Sequence, residues 1–313
     1  MADDFSLFGR DLFGHDVTQR TNGLLSRRFE FPPFSVLDAR SGRWQERKRA
    51  WRSLGLEGEL GRSDAGHRGW NDLRLHPRSA ASTAKIAAVG DAATAFDPVL
   101  AELCYRWFCP PGGMVVDPFA GGSTRGIVAG LLGRRYHGIE LRREQVYANE
   151  AQRATLAPQA SIVWVCGDAR SELAMAPTAD MLISCPPYGD LERYSDDAAD
   201  LSTMTYPHFL VAYREIIQAS MSRLAANRFA CFVVGEFRDT ATGLCRGFVS
   251  DTVAAFRAAG ASLYNDAVLV TAVGSVSLRA AIPFVASRKL GRTHQNLLVF
   301  VKGDPRAAAE ACR

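Results

Sequence analysis

The chain has 313 residues, 47% of them hydrophobic, and a formal net charge of +4. This is enough apolar material to bury a full core, which excludes a disordered or fibrous protein. No apolar run approaches the roughly 18 residues that cross a bilayer, and the opening MADDFSLFG is acidic where a signal peptide would be basic, so a cytoplasmic protein without a membrane partner is expected. Seven cysteines (104, 109, 166, 185, 231, 245 and 312) contain no CxxC pair and no zinc spacing, so neither a disulfide framework nor a metal is expected. Lys and Arg exceed Asp and Glu by 15 to 11 in residues 1–85 but stand at 22 each in residues 86–313. The positive excess therefore lies in the N-terminal part, a mild sign of a polyanionic partner.

Residues 1–30 mix charge, Gly and Asn without periodicity and read as a loosely ordered arm. Ser41 can cap a helix running to about Leu54, with Trp44 and Trp51 on one face among Arg43, Arg47, Lys48, Arg49 and Arg52. Two readings of it stand side by side: a helix laid on nucleic-acid backbone, or a solvated basic face whose tryptophans pack on the main domain. Residues 57–91 turn to Gly, Ser, Ala, Arg and His, a linker composition. From Asp97 the pattern becomes regular. Helices are expected over 98–107, 125–132, 143–154, 206–225 and 248–259, and strands over 114–117, 136–139, 162–165, the run ending at Cys185, 229–235, 262–272 and 297–302. Strands separated by helical segments imply right-handed crossovers and a mostly parallel seven-stranded sheet with helices on both faces. The last two strands have no helix between them and form an antiparallel pair at one edge. The division expected is an N-terminal extension over 1–90, a main α/β domain over 91–304 and a tail over 305–313.

Two stretches carry chemistry. In VVDPFAGGSTRG (115–126) a strand runs through a glycine turn into a helix, so backbone N–H groups face the carboxyl end of the sheet, and Gly121 and Gly122 admit close approach of a ligand. A phosphate loop (GxxxxGK[ST]) and the dinucleotide pattern GxGxxG are both absent. Glu140 ends the next strand, where a carboxylate takes ribose hydroxyls, and Asp168 ends the one after; either is equally a helix cap. The second stretch is Cys185-Pro186-Pro187-Tyr188, where an apolar strand stops on a proline-locked turn. Prolines fix φ and carry no N–H, so fixed carbonyls stand beside the Tyr188 ring. Such a corner suits a planar, amine-bearing ligand such as an extruded base, although the tetrapeptide alone also fits an ordinary turn.

DPFAGG, an acidic residue ending the second strand, GDAR and then CPPY, in that order, resemble the S-adenosylmethionine-dependent DNA amino-methyltransferases, over about residues 96–302. Those enzymes carry DPFxGxG for the cofactor and (D/N/S)PP(Y/F) for the target amine. The resemblance implies a Rossmann-like fold and S-adenosylmethionine as cofactor, with Asp117, Phe119, Ala120 and Gly121 around its methionine part and Gly122 among the cofactor-binding residues. It also implies Glu140 on the ribose, Asp168 near the adenine and Phe96-Asp97 closing over the whole. Cys185, Pro186, Pro187 and Tyr188 then form the catalytic corner. His294-Gln295-Asn296 before LLVFVKG is similar to the family's HE-x-LLVFxK ending. The family's usual C-terminal recognition domain has no counterpart, so recognition falls to residues 1–90, with Arg43, Arg47, Lys48 and Arg49, or to the basic loop 274–295, with Arg288, Lys289 and Arg292.

Two departures matter: GGS replaces GxG, and Cys185 stands where the family has Asp, Asn or Ser. Cysteine is a weak acceptor close in shape to serine, and serine there marks the N4-cytosine enzymes, so cytosine N4 is slightly favoured over adenine N6. Double-stranded DNA with its target base flipped is the expected partner; a homodimer and an accompanying nuclease, as in restriction-modification, are left open. The alternatives are a pyrimidine carbon-5 methyltransferase with Cys185 as nucleophile, an RNA amino-methyltransferase, and an inactive DNA-binding module. The acidic loop DLERYSDDAAD after CPPY reads equally as a lid and as a solvated turn.

Overall fold

The computed structural model describes residues 24–57, 96–189, 193–273, 276 and 280–313. The linker composition at 57–91, apart from Glu57, and most of the N-terminal arm thus lie outside the described residues. In chain order the helices are α1 (Leu24–Phe29), α2 (Gly42–Ser53), α3 (Pro98–Phe108), α4 (Thr124–Leu131), α5 (Arg143–Leu156), α6 (Ala169–Glu172), α7 (Tyr206–Arg223), α8 (Phe248–Ala258), α9 (Ala281–Ser287) and α10 (Pro305–Ala311). The strands are β1 (Val36–Asp38), β2 (Met114–Asp117), β3 (Arg135–Glu140), β4 (Ile162–Cys166), β5 (Ala179–Ser184), β6 (Leu224–Val234), β7 (Ser262–Val270) and β8 (His294–Lys302). No helix among the described residues is long and apolar enough to cross a membrane.

All eight strands form one sheet in the order β1-β7-β8-β6-β5-β2-β3-β4. It is parallel from β6 through β4, and β8 runs antiparallel to both β6 and β7. Two expectations are corrected here. The sheet has an eighth strand, because Val36–Asp38 adds in parallel to β7, and the antiparallel pair therefore does not end the sheet. A three-residue strand is too short to show a period of two, which is why the sequence does not reveal it. A short helix, α9, also lies between β7 and β8, where none was expected.

Side chains alternate across the sheet. Val115, Met181, Ile183, Cys231 and Val299 face the layer built by α2, α3 and α4, while Val116, Leu182, Phe232 and Phe300 face α7 and α8. Burial on both faces is what makes these strands read as continuous apolar runs. Helix starts follow their caps. Asp97 accepts from the Val99 and Leu100 amides ahead of Pro98 at N1, and Ser41 accepts from the Trp44 amide at 3.3 Å. The 305–313 stretch folds as a helix with Ala308 fully buried, capped by Asp304.

α2 decides between its two readings by packing. Trp44 and Trp51 are buried, and Trp51 Nε1 donates to Glu102 of α3 at 2.8 Å. Arg47 is buried with them and grips Glu102 with Nε at 2.9 Å and Nη2 at 2.6 Å. A guanidinium held this way cannot reach a phosphate, so Arg47 is removed from the nucleic-acid set. Arg43 turns to Glu30 at 3.4 Å and lies over the Phe31 ring, and Lys48 pairs with Asp97 at 2.8 Å. Arg49 and Arg52 remain exposed.

Candidate active site

Strand β2 lies between β5 and β3, so the chain order reverses there and the two chemistry-bearing turns meet outside the carboxyl ends of β2 and β5. This is where open α/β sheets bind ligands. The ends of the two strands are joined directly, because Ser184 Oγ donates to Asp117 Oδ1 at 2.5 Å.

Asp117 is fully buried and accepts four hydrogen bonds. Besides Ser184, the Phe119 amide (3.2 Å) reaches Oδ1, while Arg125 Nε (2.5 Å) and the Tyr136 hydroxyl (2.8 Å) reach Oδ2. With its carboxylate occupied and no exposed surface, Asp117 supports the glycine loop from beneath, which corrects the expectation that it surrounds the cofactor. Arg125 completes the support by donating through Nη2 to the carbonyls of Phe119 (2.6 Å) and Ala120 (2.9 Å), with its guanidinium 4.7 Å from the centre of the Phe96 ring. Burial alone would lower the Arg125 pKa; the Asp117 charge more than offsets it and the net shift is upward. Burial and the same carboxylate push the Tyr136 hydroxyl well above its ordinary value of 10.0, so it stays a neutral donor. The Ala120 side chain is buried too, leaving Phe119, Gly121 and Gly122 partly exposed.

Gly121 has φ of 53°, the left-handed region that favours glycine, and its amide donates to Glu140 Oε2 at 2.9 Å. From there a closed ring of polar contacts returns to the same residue. Glu140 Oε1 accepts from the Arg142 amide at 2.9 Å, Arg142 Nη2 reaches Gln145 at 3.3 Å, Gln145 donates to Asn149 at 2.8 Å, and Asn149 donates to the Gly121 carbonyl at 2.8 Å. Gln145 and Asn149 are buried. The acceptor set fits an adenosine: Glu140, which takes the Gly121 and Arg142 amides with Arg142 Nε 3.5 Å from Oε1, places a carboxylate where a vicinal diol would donate. Phe119, Gly121, Gly122 and Glu140 would hold the cofactor. Asp168, further along the rim, caps α6 and pairs with Arg170 at 2.6 Å, so the cap reading of that residue holds in the structure. Phe96 lies beside the loop, whereas Asp97 is committed to its cap, to Lys48 and to Trp44.

Opposite, Cys185 is half-buried, and its Sγ lies 3.9 Å from the Tyr188 hydroxyl. Gln295, at the start of β8, donates to that hydroxyl at 2.9 Å. The Tyr188 ring packs against Phe237 and Phe248, with centroids 6.3 and 6.1 Å away. Burial and then Cys185 drive its pKa well above the ordinary range. The acidic loop is a built turn over its described part: Asp200 accepts from Ser195 Oγ (2.9 Å) and from Ser202 N (2.8 Å). It carries Tyr194, whose ring centre is 5.9 Å from the Arg142 guanidinium. Sequence reasoning missed Arg125, Tyr136, Ser184, Gln145, Asn149, Tyr194 and the role of Gln295. Only the i,i+4 spacing of two amides on α5 gave a signal for any of them.

The mixed sheet with helices on both faces is Rossmann-like. TrmN from Thermus thermophilus is similar to this chain at 15% identity and a TM-score of 0.46, covering 69% of this chain and 52% of that one. A TehB-like S-adenosylmethionine-dependent methyltransferase from Corynebacterium glutamicum gives 13% identity and 0.43, covering 71% and 96%. A candidate DNA modification methylase, also from Thermus thermophilus, gives 18% and 0.33, covering 44% and 51%. No curated protein matches the sequence. The family model described as DNA methylase, of N6/N4 type, matches residues 40–153, from α2 through the glycine loop, Glu140 and most of α5. Over those residues the chain is similar to N6/N4-type DNA methylases, a match that supports S-adenosylmethionine as cofactor, and it spans about half the length of TrmN.

Proposed function

We propose that the protein methylates the exocyclic amino group of a base in double-stranded DNA, cytosine N4 ahead of adenine N6, after that base has left the stack. One observation carries the reading: Cys185–Tyr188 and the glycine loop leave the carboxyl ends of the adjacent strands β5 and β2, where strand order reverses, and Ser184 is bonded to Asp117 at 2.5 Å across those ends. S-adenosylmethionine, when bound, supplies a methyl group on a positively charged sulfur open to attack by an amine lone pair. The Pro186 carbonyl accepts one amine hydrogen and turns the lone pair toward the cofactor side; the Cys185 sulfur is a second, weaker acceptor. Tyr188, neutral and anchored by Gln295, fixes the position of the base. The rate enhancement then comes mainly from position and orientation, since Cys185 does not carry the charge of an aspartate.

The domain division fits this reading with one change. The described residues 24–57 add β1 and α2 to the methyltransferase unit, so a separate recognition element before residue 91 is confined to the remainder of that stretch. The decisive experiment is nucleoside mass spectrometry of DNA and RNA from cells expressing the protein, against a Glu140→Ala control. N4-methylcytosine or N6-methyladenine in DNA alone is expected. 5-Methylcytosine would transfer the reading to carbon-5 chemistry, and modification confined to RNA would change the substrate.

A further inference from the structure

α9 is a seven-residue helix, AIPFVAS, none of whose residues is buried. Val285 and Leu290 are each 76% exposed, with Ile282 at 51% and Phe284 at 42%. Large apolar side chains grouped like this on a surface mark a contact site rather than the ordinary scatter of exposed residues. The chemistry of the surrounding chain limits what covers it. Residues 274–295 contain four Lys or Arg and no Asp or Glu. The occupant is therefore anionic and also offers apolar surface.

Position narrows it further. β8 leaves this segment directly into Gln295, which holds the Tyr188 hydroxyl at 2.9 Å. The Lys289 side chain lies against Gly243, in the loop that follows Phe237, itself packed on Tyr188 with ring centres 6.3 Å apart. The apolar helix and its flanking cations thus share the end of the molecule that holds the catalytic corner. A duplex that presents a base to Tyr188 offers both features at once: phosphates along its edge, and a gap in the stack where the base has left. Proteins that open base steps commonly fill the opening with Phe, Leu or Ile side chains.

We propose that Ala281–Arg292 is the duplex-contacting wedge of the protein. Arg288, Lys289 and Arg292 take backbone phosphates, and Phe284, Val285 and Leu290 enter the stack beside the extruded base. The inference rests on the reading above only for where the base goes. It is tested by fluorescence anisotropy with a short fluorescein-labelled duplex of mixed sequence, titrated at several salt concentrations. Arg288→Gln with Lys289→Gln should reduce the slope of log affinity against log salt by about two, roughly one unit per phosphate contact. Val285→Ser with Leu290→Ser should weaken binding by about tenfold, as expected for lost apolar burial, and should recover part of that loss on a duplex with one unpaired base. Calorimetric S-adenosylmethionine binding should stay unchanged in both variants.

Unaltered duplex affinity and salt slope in both would overturn the proposal. So would a wild-type dimer that the serine variant splits into monomers, which would assign the face to a second copy, or binding to phosphatidylserine vesicles without binding to duplex. If the variants lose duplex binding while the wild type transfers no methyl group, the amino-transfer reading fails and the wedge stands.

Discussion

Ser184 Oγ and Asp117 Oδ1, 67 residues apart in sequence, meet at 2.5 Å and join the strand that ends in the glycine loop to the strand that ends in Cys185-Pro186-Pro187-Tyr188. One carboxylate thereby registers both halves of the site, and Arg125, Tyr136 and the Phe119 amide hold it in place. Removing the serine hydroxyl takes one of two bonds from the buried Oδ1, and removing the carboxylate leaves buried donors unsatisfied. Ser184→Ala should cost about 1–3 kcal/mol in urea unfolding, and Asp117→Ala, which strands a buried guanidinium, about 3–5 kcal/mol. Ser184→Ala should also raise KM for both substrates, because it loosens the corner against the loop. A variant as stable as wild type would remove this bond from the support of the site.

The ring through Gly121, Glu140, Arg142, Gln145 and Asn149 gives a second expectation. Glu140→Ala removes both the diol acceptor and the bond to the Gly121 amide, so S-adenosylmethionine should bind more weakly by about 1–3 kcal/mol in calorimetry. Asn149→Ala leaves every cofactor-facing group in place and frees the Gly121 carbonyl and the Gln145 amide. It should weaken binding less than Glu140→Ala while destabilising the fold, since Asn149 is buried. Equal losses from the two would mean that Glu140 acts solely through the ring.

Arg47 and Glu102 turn a supposed phosphate contact into a stability element with a pH signature. Burial by itself would raise the Glu102 pKa; the bonds and charge of Arg47, helped by Arg106 and Trp51, outweigh it and hold the carboxyl below its ordinary 4.5. A carboxylate depressed on folding adds stability that is full above the unfolded-state value and is lost as pH falls through the folded one. Urea midpoints should therefore drop below about pH 4.5 in the wild type, and Glu102→Gln should flatten that part of the curve at a lower overall stability. Arg47→Ala should destabilise by about 3–5 kcal/mol while the salt dependence of DNA binding in the surviving folded fraction keeps its slope. A reduced slope would restore Arg47 to the nucleic-acid surface.

These residues show what the sequence could and could not reveal. Strand and helix order from Asp97 onward was legible because both sheet faces are buried and the helices carry strong caps such as Asp97-Pro98. The two candidate site turns were legible because proline and glycine leave a visible mark wherever backbone geometry is constrained. Side-chain destination was not. Arg47 and Arg49 stand two residues apart on one basic helix, and it is the distant Glu102 that draws Arg47 inward. Asp117 looked like a ligand because it sits in the motif, but its four partners come from four places in the chain. β1 was hidden by its length, and Gln295 by its distance from Tyr188 in sequence.

Cys185 separates the competing chemistries. Its sulfur lies 3.9 Å from the Tyr188 hydroxyl, which in turn accepts from Gln295. Either atom of the sulfur–hydroxyl pair can donate, so the residue works as a small hydrogen-bonding partner at the corner. Serine preserves that geometry and accepts more strongly. If the target is an exocyclic amine, Cys185→Ser should keep substantial kcat and can exceed the wild type, whereas Tyr188→Ala should lose about 1–3 kcal/mol of transition-state binding with the aromatic ring. If the thiol instead attacked pyrimidine carbon 6, the forming sulfur–carbon bond would need a thiolate, and serine would lower turnover by several orders of magnitude with cofactor binding intact. Single-turnover methylation of plasmid DNA by both proteins, read by nucleoside mass spectrometry, distinguishes the cases. An inactive Cys185→Ser enzyme, together with a covalent wild-type adduct on DNA containing 5-fluorocytosine, would overturn the amine reading.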